Sequence, residues 1–92
     1  MPPRRKVKPL SDEHAALGAA IRELREEAGL TQEELAERVG TTFTRIGLLE
    51  RGAVDPRFTT LSRVAKGLGV GMVRLSERFE RALETADTPL GA

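Results

Sequence analysis

The sequence predicts an all-α domain of five helices, and three observations carry that expectation. No segment alternates apolar and polar residues with period two, apolar residues recur at three- and four-residue steps, and Gly29, Gly40, Gly52 and Gly69 punctuate the pattern at helix-length intervals.

The first helix opens at Ser11, whose hydroxyl suits an N-cap, and turns Leu17, Ala20, Ile21, Leu24 and Ala28 to one face. Gly29 stops it in a left-handed cap, with Leu30 folding back on it. Thr31 and Glu34 form a capping box, each side chain satisfying a free backbone N–H, so the second helix starts at Thr31 or Gln32. It buries Leu35, Ala36 and Val39 and ends at Gly40. Thr41 or Thr42 caps a third helix with Ile46 and Leu49 inward, closed by Gly52. "GAVDPRF" is a loop broken by Pro56. A fourth helix starts at about Thr59 or Thr60, turns Leu61, Val64, Ala65 and Leu68 inward and stops at Gly69. Met72, Leu75, Phe79, Ala82 and Leu83 mark a fifth, running to about Thr85.

At 92 residues the chain makes one small domain that buries only a modest share of its surface, so a partner subunit is expected. Residues 1–10 read as a flexible basic arm, 11–85 as the helical domain with an extended fifth helix, and 86–92 as a disordered tail. The absence of cysteine removes disulfides, cysteine zinc sites and cysteine nucleophiles. No apolar run approaches the roughly 18 residues of a membrane span, and the basic start lacks the apolar stretch of a signal peptide. The expected location is the cytoplasm. His14 is the single histidine, and neither Ser62 nor Ser76 has an oxyanion turn nearby in sequence. An enzyme therefore has no catalytic constellation to stand on, and no cofactor or metal is implied.

Net charge is only +1, yet its distribution is polar: Arg4, Arg5, Lys6 and Lys8 gather at one end, while Glu77, Glu80, Glu84 and Asp87 weight the other. The second and third helices are each shorter than the roughly 12 to 15 residues that stand alone in water. Joined by so tight a turn, they cross steeply as a helix-turn-helix, and the outer side of the third is left free to enter a DNA major groove about 12 Å wide.

"GLTQEELAERVG", "RIGLLERG" and "DPRFTTLSRVAKGLGV" resemble consecutive signatures of the phage repressor and Cro-type helix-turn-helix family, the XRE regulators, over roughly Leu17 to Leu75. The resemblance implies a compact five-helix, lambda-repressor-like DNA-binding domain that usually binds double-stranded DNA operators as a homodimer. It also implies a phosphate contact for Gln32, at the positive end of the second helix. Two positions depart from the pattern: Thr41 stands where a small apolar residue usually follows the turn glycine, and Phe43 where a glutamine or arginine often opens the recognition helix.

On the third helix Thr42, Phe43, Thr44, Arg45 and Leu48 lie outside the Ile46–Leu49 stripe or at its margin. Arg45 matches a guanine edge with its donor fork, or else holds a phosphate or pairs with Glu37 or Glu50. Thr44 suits a base or a phosphate. Phe43 either presses on a thymine methyl or is partly buried, the latter being the usual fate of a large apolar residue. Leu48 suits a methyl or a protein, and Thr42 is a cap first, close to the DNA backbone. Gly47 permits close approach of another helix or of a phosphate. Arg51 and Arg57 flank the turn where this family grips the backbone, solubility being the plain alternative. The arm of Arg4, Arg5, Lys6 and Lys8 either enters a minor groove or adds non-specific attraction. Phe79 and Leu83 extend the apolar stripe of the fifth helix, as a two-fold dimer interface or as cover for the domain's own core.

The expected function is a sequence-specific transcriptional regulator, a homodimeric autorepressor or controller protein reading a palindromic operator with the third helix. The alternative is a protein-interaction module on the same fold, antitoxin-like or regulator-binding.

Overall fold

The computed structural model of the chain describes residues 8–87. Its elements are α1 (Asp12–Glu27), α2 (Gln32–Val39), α3 (Phe43–Glu50), α4 (Phe58–Gly67) and α5 (Gly71–Asp87), with no strand among the described residues.

The helix boundaries follow from side chains that satisfy free backbone groups. Ser11 caps α1 by accepting from the His14 N–H at 3.1 Å. Ala28, expected on the inward face, is instead the exposed C-cap, because the helix already ends at Glu27. Leu30 does fold back, donating its N–H to the Arg25 carbonyl, and is buried. The Thr31–Glu34 capping box is present in both directions. Gly40 leaves α2 in the left-handed conformation at φ 81°, and Thr42 rather than Thr41 caps α3, accepting from the Arg45 N–H.

Two boundaries shift. α4 begins at Phe58, just ahead of the expected threonines, with Arg57 at its N-cap making no side-chain cap hydrogen bond. Extended backbone at Arg57, next to Pro56, sets this start without a hydroxyl. α5 carries on to Asp87, so Ala86 and Asp87, expected in the tail, are helical.

The core is built from Ile21, Leu35, Ile46, Leu49, Val64 and Leu75, each almost wholly buried. α1 lies across α3 and α5, while α2 packs on α3 and α4. Tertiary packing thus holds α2 and α3, eight residues each, which are too short to persist alone. Gly18 is the close-approach point: a Cβ there would sit 2.3 Å from the Glu50 carbonyl oxygen and 2.6 Å from that of Leu49. At Gly47 the nearest atoms to such a Cβ are those of the Arg51 guanidinium, from 3.5 Å, so it is this side chain rather than another helix that covers it. Leu10 donates its N–H to the Gly52 carbonyl at 2.9 Å, tying the root of the arm to the turn after α3.

Candidate nucleic-acid interface

α3 buries Ile46, Gly47 and Leu49 on one side. Thr44 and Arg45 are exposed on the other, with Leu48 half-buried beside them. Phe43 projects from the helix start at 52% exposure. The expectation of partial burial for Phe43 is thus corrected: in the first turn the ring lies outside the core cluster. Arg45 forms no ion pair among the described residues, so the alternative of pairing with Glu37 or Glu50 does not occur. The Thr42 hydroxyl is occupied as a cap.

Glu50 is taken by other partners. Its side chain, 4% exposed, accepts from Arg25 Nε at 2.6 Å, Arg25 Nη2 at 3.0 Å and Gln32 Nε2 at 2.9 Å. The remaining guanidinium nitrogen of Arg25 donates to the Leu30 carbonyl. The hydrogen bond to Glu50 holds the Arg25 pKa above its ordinary value, with burial opposing it. Gln32 is therefore no free solvated amide; its head is pinned at the first turn of α2. Arg22, Arg25, Gln32, Glu50 and Arg51 together line a surface cleft there. Arg25 and the Gln32 amide are engaged by Glu50. The groups here that suit a phosphate are therefore the Arg51 guanidinium, the exposed Arg22, only loosely paired with Glu26 at 3.8 Å, and the positive end of α2. Arg22 and Arg25 were not singled out in the sequence, because only the crossing of α1 over α3 brings them beside Gln32, and no local motif marks that.

Arg57 is exposed at the start of α4, and Lys8 is exposed at the root of the arm. Arg4, Arg5 and Lys6 lie outside the described residues. His14 joins α1 to the loop before α4, with Nδ1 2.6 Å from Ser11 Oγ and Nε2 3.0 Å from Asp55 Oδ1.

Phe79 and Leu83 are half-buried. Phe79 packs against the core and, with Leu17, Leu61, Met72, Leu75 and Ser76, lines an apolar groove between α1, α4 and α5. Phe58 is 71% exposed three residues before Leu61, and Val73 is 73% exposed three residues before Ser76, so helical spacing places both on the groove's flanks. No group of three or more potential metal ligands occurs among the described residues, and no described helix is long and apolar enough to cross a membrane.

The helix-turn-helix family model matches residues 21–75, from the middle of α1 to the start of α5. The chain belongs to this family, in its XRE-type branch, and is a DNA-binding transcriptional regulator rather than an enzyme. Among its relatives is the HTH-type transcriptional regulator y4dJ of Sinorhizobium fredii, 38% identical over 80 residues that cover 87% of this chain and 96% of that protein. The regulator PuuR of Escherichia coli is 36% identical over 80 residues, 87% of this chain but only 41% of PuuR. The clp gene regulator ClgR of Corynebacterium glutamicum superposes with a TM-score of 0.75 at 29% identity, covering 86% of this chain and 99% of that one. The restriction-modification controller protein C.Esp1396I, solved as a tetramer on its natural 35 base-pair operator, superposes with a TM-score of 0.76 at 28% identity, covering 80% and 97%.

Proposed function

We propose that the chain is a cytoplasmic homodimeric repressor or controller protein, reading a palindromic operator with α3. The observation that carries this reading is the outward side of α3, with Thr44, Leu48 and an Arg45 that has no ion pair among the described residues, beside a cleft lined by Arg22, Arg25, Arg51, Gln32 and Glu50 at the start of α2. Side chains on α3 face bases, and the cleft grips a flanking phosphate. Arg57 and Arg51 extend the backbone contact, and the basic arm adds sequence-independent attraction.

The dimer rests on the apolar groove with Phe79, flanked by Leu83, Phe58 and Val73. A two-fold contact through this patch presents two copies of α3 to successive major grooves, about 34 Å apart. That the similar controller protein occupies its operator as a tetramer is in keeping with such assembly.

The test is selection of bound sequences from a random DNA pool at low and moderate salt. Enrichment of a palindrome whose halves lie one helical turn apart is expected. Recovery of no motif, with binding that vanishes as salt rises, refutes the reading and favours a protein partner for the exposed Phe43 and Leu48.

A further inference from the structure

The outward stripe of α3 has an unusual chemical balance for a base-reading surface. Thr44 and Leu48 stand four residues apart on one side of the helix, with the Phe43 ring at its N-terminal end. Together they offer a hydroxyl, a methyl, an isobutyl group and a phenyl ring. None of the three is the amide that pairs bidentately with adenine or the carboxylate that accepts from cytosine. The guanidinium of Arg45 sits at the flank of this stripe and matches guanine. The feature of a major-groove floor that an apolar side chain recognises is the C5-methyl group of a pyrimidine.

We propose that α3, alongside the guanine edge matched by Arg45, selects its operator through pyrimidine 5-methyl groups, and so accepts 5-methylcytosine where it accepts thymine. This inference rests on the regulator reading above and names what the same surface recognises. Thymine and 5-methylcytosine carry the methyl at the same place in the groove and differ at position 4, where one has a carbonyl and the other an amino group. Leu48 and Phe43 are indifferent to that difference, and the Thr44 hydroxyl can donate to the first or accept from the second. Methylation of a cytosine that stands at such a position therefore strengthens binding, which makes the methylation state of the DNA an input to this regulator.

The experiment uses the wild-type chain and its selected operator, replacing each thymine in turn by deoxyuridine. This removes one methyl and leaves every base-pair hydrogen bond in place. At one or more thymines of each half-site, affinity is expected to fall about fourfold, the equivalent of about 0.8 kcal/mol for a buried methyl-sized group. At the same positions a 5-methylcytosine–guanine pair should bind more tightly than a cytosine–guanine pair by a similar factor. Leu48→Ala or Phe43→Ser should each abolish the deoxyuridine effect at the thymine it touches. Full tolerance of deoxyuridine throughout a selected operator overturns the inference alone. Failure to select any operator overturns the regulator reading and this inference with it.

Discussion

Arg25 reaches from α1 to Glu50 at the end of α3, Nε to Oε2 at 2.6 Å, with only 12% and 4% of the two side chains exposed. The pair ties the helix that crosses the domain to the end of α3, and through Gln32 it also fixes the start of α2. Arg25→Ala leaves the Glu50 carboxylate buried without its cation. A loss of about 1–3 kcal/mol is expected in urea unfolding, because a largely covered carboxylate is left without the donors that satisfy it. A loss below about 1 kcal/mol would show that water reaches Glu50 freely.

Gly18→Ala should be among the most damaging small substitutions. Its Cβ would meet the main-chain carbonyls of Glu50 and Leu49, which cannot move aside without shifting α3. Overpacking of this kind costs about 1–3 kcal/mol, read as a melting temperature lower by roughly 4–8 °C per kcal/mol. An unchanged melting temperature would contradict the close packing of α1 on α3.

Much of this arrangement was legible in the sequence, since caps and stops are local. Thr31, Glu34, Gly40, Thr42 and Gly52 act within a turn of their own helices, and each boundary they govern lies where the sequence puts it. What was not legible depends on contacts between distant segments. Arg25 and Glu50 are 25 residues apart, and nothing near either one announces the other. Phe43 misled for the opposite reason: apolar character argues for burial, but a position in the first turn of a short helix places the ring past the core's edge.

The proposed dimer is tested by Val73→Glu, a change at an exposed position that leaves the core untouched. A charge on the flank of the proposed apolar contact should weaken the dimer and shift sedimentation toward the monomer, with helical content unchanged. Polar replacement of Phe79 and Leu83 should do the same, with some loss of stability from Phe79, which also covers the core. Dimers that persist in both variants would place the interface elsewhere.

Acid should loosen the α1–α5 contact. Arg78 on α5 hydrogen-bonds Glu27 and, at 3.2 Å, Glu23 on α1. The bond from Arg78 first, then the charges of Arg78, Arg74 and Arg81, hold the Glu27 carboxyl below the usual carboxylate range, against a smaller opposing effect of burial. Glu34 is lowered in the same direction by its backbone bond with Thr31. A depressed folded-state pKa gives stability that is present above the unfolded value and lost as pH falls through the folded one. The melting temperature should therefore decline as pH drops below the ordinary carboxylate range, and less steeply in Arg78→Ala. Parallel curves for the two proteins would show that the pair contributes nothing.

The central claim, that α3 reads bases while the flanking arginines hold phosphates, is tested most directly by comparing Arg45→Ala with Arg57→Ala across every single-base variant of the selected operator. Base reading by Arg45 predicts a loss of about 1–3 kcal/mol with relaxed specificity at one position of each half-site. Phosphate contact by Arg57 predicts uniform weakening with a salt slope shallower by about one. If Arg45→Ala weakens all variants equally, or none at all, α3 does not read the operator in the way its exposed face indicates.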